Sequence, residues 1–189
     1  MESQLNAFPL YCLPSLSFLR AFTEADNAQF TLGEKFEKQS NRSRFTIAGP
    51  NGLQRLSLPL VHASCHSAMC DVQLDYAQPW NIKHWRSIET AYNKAPFFEY
   101  YAHHFESLFK NHYFLLADWN LEALKSCLKC IKQPDDLSLN FNKCQTNQTQ
   151  FTINSETYNQ VFIEKSGFIA NLSILDLIFN EGPMAKDYF

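Results

Sequence analysis

The chain has 189 residues, of which 46% are hydrophobic and 15% aromatic, a length and composition that suit one domain with a buried core. Its 16 basic and 19 acidic side chains give a formal net charge of −3, which argues against general nucleic-acid binding because that activity needs a basic excess. No apolar run approaches the roughly 20 residues that a helix needs to span a bilayer.

The beginning of the chain and its cysteines indicate a compartment. Residues 1–4 lack the basic stretch that begins a signal peptide, so we expect a cytoplasmic protein. Thiols stay reduced there, so we expect unpaired, metal-free cysteines at Cys12, Cys65, Cys70, Cys127, Cys130 and Cys144. We expect no cofactor. The sequence contains no nucleotide-binding glycine loop, and it also lacks the Gly-x-Ser-x-Gly elbow that carries a nucleophilic serine.

Strand patterns follow one short helix in the first half of the chain. The pattern predicts a helix over 14–25 and strands over 27–32, 44–48, 54–61 and 71–74. The run Gly49-Pro50-Asn51-Gly52 predicts a hairpin turn, because Asn-Gly supplies the positive φ angles of tight hairpins. Pro59 pushes the third strand toward a sheet edge or a bulge.

Helical periodicity replaces this alternation in the second half. Helices are predicted over 80–93, 97–110 and 118–132, the first two preceded by a proline that fits a helix start. The side chains predicted to face inward on the first of them are Ile82, Trp85, Ile88 and Tyr92.

The end of the chain predicts a packed helix rather than a frayed terminus. Asn171 or Ser173 can cap it, Asp176 is placed for a capping box with Ser173, and Gly182-Pro183 ends it. The whole pattern predicts a single α+β domain over 1–189, in which helices pack on one face of a mostly antiparallel N-terminal sheet and the C-terminal helix docks. The Asn/Gln/Thr-rich stretch at about 140–157 is predicted to be a surface loop.

Six short motifs, in order along nearly the whole chain, carry a resemblance to a known family. They are Glu37-Lys38-Gln39 with Asn41-Arg42-Ser43-Arg44, Asn51-Gly52, Leu58-Pro59-Leu60, Trp80 with His84-Trp85-Arg86-Ser87-Ile88, residues 95–101, and residues 171–183. With these motifs the chain resembles the WbqC-like protein family. The resemblance implies a bacterial protein of a family in which many members are associated with loci for surface-polysaccharide (O-antigen) biosynthesis.

The first candidate for binding chemistry is the basic group Lys38, Arg42 and Arg44. On an extended chain, Arg42 and Arg44 point to the same face, where two guanidiniums can clamp a phosphate or carboxylate. The alternative is a solvated face with ordinary ion pairs to Glu34 or Glu37. The resemblance falls on the basic residues and favours the clamp.

The second candidate is His84 on the first long helix. Its reference pKa near neutrality suits a general base, and the alternative is a histidine that hydrogen-bonds within the domain. We expect Arg42, Arg44 and His84 to line one cleft with Lys38 at its rim. The remaining substrate-binding residues are predicted to be Trp80, Arg86 and Tyr101, with Trp80 or Tyr101 as an aromatic wall.

A third cluster combines possible metal ligands at His62, Cys65, His66 and Cys70. The spacing matches no standard zinc pattern, so we predict no metal site there. Relatives commonly carry Lys or Arg just after Leu60, and here either that basic role is lost or His62 partly fills it.

Two functions are consistent with these features. The first is a transferase that acts on an activated sugar, by acyl or aminoacyl transfer to an amino sugar, with a nucleotide sugar or another phosphate-bearing molecule as ligand. The alternative is a non-catalytic protein of the same pathway that binds a glycan intermediate or a partner enzyme. A deep pocket that holds His84 and Arg44 favours the first, and a flat apolar patch near the terminal helix favours the second.

Overall fold

The computed structural model describes residues 6–133, 139–140 and 156–189. Its strands are β1 (Asn6–Pro9), β2 (Ala28–Thr31), β3 (Arg44–Gly49), β4 (Gly52–Ser57) and β5 (Leu139–Asn140). Its α-helices are α1 (Leu16–Glu24), α2 (Trp80–Tyr92), α3 (Phe98–Lys110), α4 (Leu116–Cys130), α5 (Ile163–Ser166) and α6 (Ile174–Glu181). Turns of 3-10 helix cover His62–His66, Met69–Asp71 and Gly182–Tyr188. The predicted loop at about 140–157 falls almost wholly outside the described residues.

The N-terminal sheet is parallel. Strand β1 pairs with β2, with Asn6 opposite Ala28, and β5 pairs in parallel with the other edge of β2. Helix α1 connects β1 to β2 and packs its phenylalanines on them, with Phe22 stacked on Phe30 at a ring-centroid distance of 4.2 Å. The mixture of helices and strands is confirmed. The predicted mostly antiparallel sheet is only partly matched, because this sheet is parallel and, among the described strands, the antiparallel pairing is that of β3 with β4. Strand β1 is four residues long, ends in proline and shows no alternation, so its pattern predicted no strand.

The second sheet is the β3–β4 hairpin. Its strands are antiparallel, with Gly49 opposite Gly52, and its turn lies at the predicted position. The positive φ angle belongs to Gly52, at 102°, while Pro50 and Asn51 occupy the two central positions. Strand β4 ends at Ser57, shortly before Pro59, whose ring nitrogen cannot donate to a ladder.

The strand predicted over 71–74 is wrong. That stretch makes only isolated bridges, Leu60 to Leu74 and Gln73 to Leu115. Two single-residue pairings to different segments do not build a ladder, so the apolar alternation there reflects burial between a loop and the start of α4.

The three long helices lie close to their predicted positions and share one core with both sheets. Trp85, Ile88 and Tyr92 are buried on α2 as expected, but Ile82 is 52% exposed, so its inward assignment is wrong. Trp80, at the start of α2, is buried instead. Among the helices of the described residues, none combines the length and apolar character that crossing a bilayer requires.

The C-terminal helix is part of the core. Leu175, Ile178 and Phe179 have no exposed surface. Ser173 caps α6, since its Oγ accepts from Leu175 N–H at 3.4 Å, while Ser173 N–H donates to Thr46 O at 2.8 Å. The terminal helix therefore joins the hairpin to the helical layer, and the chain continues past Glu181 as a 3-10 helix.

Leu175→Ala should lower the free energy of unfolding by about 2–5 kcal/mol, because the lost methyl groups leave a cavity at a fully buried position. Urea denaturation measures this. Met184→Ala is the control, since Met184 is 56% exposed and its truncation should cost less than about 0.5 kcal/mol. Deletion of residues 171–189 should abolish cooperative unfolding, and a truncated chain that melts near the original temperature would contradict the structural role.

Asp176 is a buried carboxylate in the first turn of α6. Its Oδ2 accepts from Tyr158 Oη and from Gln160 Nε2, both at 2.8 Å, so it completes no capping box with Ser173. Burial raises the pKa of Asp176 to about 6, against the lowering effect of the hydrogen bonds. Tyr92 Oη and Asp176 Oδ1 are both buried without a partner in hydrogen-bonding geometry.

The folded protein holds the Asp176 proton more tightly than the unfolded chain, whose carboxyl has its ordinary pKa of 3.8. Stability from this group is therefore present at low pH and falls as the pH rises through about 6, by a total on the order of 3 kcal/mol. Asp176→Asn should remove this fall, because an amide keeps the acceptor for Tyr158 and Gln160 without a charge. Relative to the wild type, the variant should gain stability between about pH 3 and pH 7, on the order of 3 kcal/mol in all, because the loss runs from the unfolded to the folded pKa.

Urea denaturation at a series of pH values measures the difference between the two proteins. Asp187→Asn, at an exposed position, is the control and should follow the wild type. If Asp176→Asn is less stable than the wild type at neutral pH, the ionised carboxylate stabilises the folded protein. Burial would then not raise the pKa of Asp176.

Candidate functional site

Arg42 forms ion pairs with two carboxylates. Its side chain is 5% exposed, and its Nε and Nη2 both donate to Glu34 Oε1, the first at 3.0 Å. Its Nη1 donates to Glu37 Oε2 at 3.0 Å. The alternative left open by the sequence named these two partners, and both are present, although on a buried guanidinium instead of a solvated one.

A turn separates Arg42 from Arg44. Ser43 N–H donates to Ser40 O at 3.3 Å, and the extended backbone of β3 begins only at Arg44. The alternation that places residues two apart on one face requires extended backbone, so it does not reach Arg42. The two arginines therefore enter different environments.

Asn120, on α4, holds this turn against the parallel sheet. Its Nδ2 donates to Arg42 O at 2.8 Å and to Leu10 O at 3.2 Å, and the residue has no exposed surface. Cys12 N–H donates to Asn41 O at 2.8 Å, which ties the same two loops together directly. The buried ion pairs of Arg42 thus sit on a fixed backbone at the carboxyl ends of β1 and β2.

Arg44 lies on the outer face of the hairpin. The opposite face packs on α2, since the rings of Phe45 and His84 are in edge contact at 6.4 Å and Gln54 Nε2 donates to Ser87 Oγ at 3.2 Å. Because successive side chains alternate between faces, Arg44 projects away from His84. Arg55 shares the outer face with Arg44, as the register places Thr46 opposite Arg55 and Ser57 opposite Arg44.

Arg55 was not among the predicted site residues, but the sequence contained the signal for it. A two-residue turn at Pro50 and Asn51 fixes the register of the whole hairpin, and that register makes Arg44 and Arg55 diagonal neighbours.

His84, on α2, contacts two aromatic rings where this helix packs on the hairpin. The indole of Trp80 lies 5.3 Å from its ring and Phe45 meets it edge-on. The ring is half-buried, and its Nδ1 is buried without a hydrogen-bond partner. Burial lowers the pKa of His84 to about 4, so the imidazole is uncharged at neutral pH.

The other predicted site residues are spread over the surface. Lys38 Nζ lies 3.5 Å from His66 Nε2, Arg86 is exposed on α2, and Tyr101 is half-exposed on α3 beside His104. The structure thus brings Trp80 to His84. The predicted cleft shared with the arginines is not formed among the described residues, because Arg42 is paired with Glu34 and Glu37 and Arg44 lies on the opposite face of the hairpin.

The histidine and cysteine cluster after β4 is not assembled as a metal site. Among the described residues, no three His, Cys, Asp or Glu side chains are arranged to hold a metal ion. The rings of His62 and His66 are in edge contact at 5.8 Å. Five cysteines of the described residues are free thiols, namely Cys12, Cys65, Cys70, Cys127 and Cys130. Cys144 lies outside the described residues.

Arg42→Ala should lower the free energy of unfolding by about 3–5 kcal/mol, because it leaves the carboxylate of Glu34, whose side chain is only 11% exposed, without its partner. Arg44→Ala, on the outer face of the hairpin, is the matched control and should cost less than about 0.5 kcal/mol. Chemical denaturation of both variants tests the two roles. Equal losses would contradict the assignment of Arg42 to structure and Arg44 to the surface.

Comparison with known proteins places the chain in a family. The model of the WbqC-like protein family matches residues 9–153, which include both hairpin strands, the turn at Arg42 and the helix that carries His84. No curated protein and no solved structure matches the chain. A family match over more than half of the sequence is decisive: the chain belongs to the WbqC-like protein family.

Proposed function

We propose that this chain is a transferase of bacterial surface-polysaccharide (O-antigen) biosynthesis, which moves an acyl or aminoacyl group onto an activated amino sugar. Family membership supports the pathway, through the association of many WbqC-like proteins with such loci. The state of His84 supports the chemistry and is the observation on which the proposal rests.

His84 is suited to take a proton from an acceptor amine or hydroxyl. Its imidazole is uncharged, and because its Nδ1 is buried without a hydrogen-bond partner, the proton would pass to Nε2, which is not among the buried unpartnered atoms of the described residues. As the acceptor's lone pair forms the bond to the transferred group, its proton passes to the imidazole, and the leaving group departs with the electrons of the broken bond. A pKa of about 4 makes the free imidazole a weak base. A bound anion nearby would raise that pKa, because opposite charge favours the imidazolium.

Trp80 packs against His84 at this proposed site. It is 4% exposed, and its indole contacts His84 at 5.3 Å and Trp119 at 6.4 Å, so its plane is held by α4 as well as α2. A ring this deeply buried supports the position of His84 more than it offers a face to a ligand.

A thermal-shift screen against nucleotide sugars tests the proposal. A bound nucleotide sugar at 100 times its Kd should add roughly 2.7 kcal/mol to the free energy of unfolding. With an active pair of substrates, His84→Ala should lower kcat more than it weakens binding, because the imidazole acts on the transferred proton. His103→Ala is the control, at an exposed histidine of α3.

NMR titration adds a readout that a structural histidine would not change. The His84 ring signals should titrate near pH 4 in the free protein and at higher pH with the nucleotide sugar bound. If the ligand leaves the His84 midpoint unchanged, or if His84→Ala retains full turnover, the base is elsewhere.

An exposed apolar surface favours the non-catalytic alternative. Near the terminal helix, Tyr100 is 72% exposed and Met184 is 56% exposed. Phe97 lies between them, since its ring contacts Tyr100 at 6.5 Å and fills the space that a side chain at Gly182 would need. Ligand binding without turnover, together with loss of partner association in Tyr100→Ser, would support the binding function over the transferase.

A further inference from the structure

The outer face of the β3–β4 hairpin carries two arginines, and the surrounding sequence contributes no acidic residue. Arg44, Thr46, Arg55 and Ser57 occupy this face by the observed register. From Lys38 to Cys70 the sequence contains four Lys and Arg residues and no Asp or Glu, although the whole chain is acidic. The hairpin is thus a basic element in a chain of net charge −3.

The two arginines on this face have no charged or hydrogen-bonding partner in the part of the chain that the structure describes. Arg20 and Arg42 each pair with a carboxylate, whereas neither Arg44 nor Arg55 has an ion pair or side-chain hydrogen bond within the described residues. Diagonal neighbours on adjacent antiparallel strands have Cα atoms about 7–8 Å apart, within reach of long side chains. Like charges at that spacing repel, and no contact among the described residues offsets this repulsion.

We propose that Arg44 and Arg55 form an anchoring subsite for a diphosphate group on the outer face of the hairpin, separate from His84. Two guanidiniums present two forks of N–H donors, each of which matches a pair of oxygens. A carboxylate can accept from the N–H donors of one guanidinium, whereas a diphosphate has enough oxygens and negative charge to accept from both. The hydroxyls of Thr46 and Ser57, opposite Arg55 and Arg44, lie on the same face and can donate to the remaining oxygens.

The hairpin itself separates this subsite from the proposed reaction site. Phe45, Ile47, Gln54 and Leu56 face α2, and the arginines face the other way. A diphosphate held at Arg44 and Arg55 therefore anchors a ligand without contacting His84, and the subsite does not depend on the transfer chemistry proposed there.

Titration calorimetry with inorganic pyrophosphate at low salt tests the subsite on the full chain. Arg55→Gln and Arg44→Gln should each weaken pyrophosphate binding by roughly tenfold or more, as expected when a charge-assisted pair of hydrogen bonds is lost. Lys125→Gln, at an exposed lysine of α4, removes the same charge elsewhere and should have little effect. Circular dichroism confirms that each variant is folded.

His84→Ala separates this proposal from the previous one. Unchanged pyrophosphate affinity supports a subsite on the outer face, and a loss equal to that of Arg55→Gln would place the anion at His84 and overturn it. No binding by the wild type, or an equal loss in Lys125→Gln, would also overturn it, since the interaction would then be absent or only a matter of net charge.

Two parallel titrations identify the source of the diphosphate. One uses UDP in solution, and the other uses a prenyl diphosphate in phosphatidylcholine vesicles. Binding that depends on Arg55 in either arm supports the subsite and assigns it to nucleotide or lipid carriers. Binding in neither arm contradicts it.

Discussion

One buried amide joins the three parts of this structure. Asn120 Nδ2 donates to a carbonyl after β1 and to a carbonyl before β3, so α4, the parallel sheet and the hairpin meet at one residue. Both acceptors are backbone oxygens in loops, which would otherwise be buried without partners at a cost of about 1–3 kcal/mol each. The backbone at the start of the hairpin is therefore positioned by this contact, together with the contacts of the strands to α2 and α6.

As a consequence, the neighbouring residues Arg42 and Arg44 have different surroundings. Fixed by Asn120, the backbone at Arg42 turns its guanidinium inward, where Glu34 and Glu37 neutralise it. Two residues later the chain is extended, and Arg44 emerges on the outer face of the hairpin. Arg42 is thus held inside the fold by two carboxylates, and Arg44 has no ion pair among the described residues. The motif Asn41-Arg42-Ser43-Arg44 therefore places one arginine in the interior and one on the hairpin surface.

His84 owes its properties to the same arrangement. The inner face of the hairpin packs Phe45 against α2, and α4 packs Trp119 against Trp80. The half-buried imidazole therefore contacts aromatic rings. Low polarity around the ring lowers the pKa, and no carboxylate offsets the effect. A histidine of ordinary pKa, as the sequence suggested, would have needed more solvent or an acidic neighbour.

The sequence by itself determined the long helices, the hairpin turn, the packed C-terminal helix and the family. These depend on short-range signals, namely helical periodicity, prolines at helix starts, Asn51-Gly52 and the cap at Ser173. Only the tertiary structure decided the parallel pairing of β1 with β2, the burial of Arg42 and the separation of Arg44 from His84. The physical reason is that these depend on contacts between distant residues, such as Leu10 and Arg42 with Asn120. A four-residue strand or a single turn at Ser40 leaves too little periodicity in the sequence to specify such contacts.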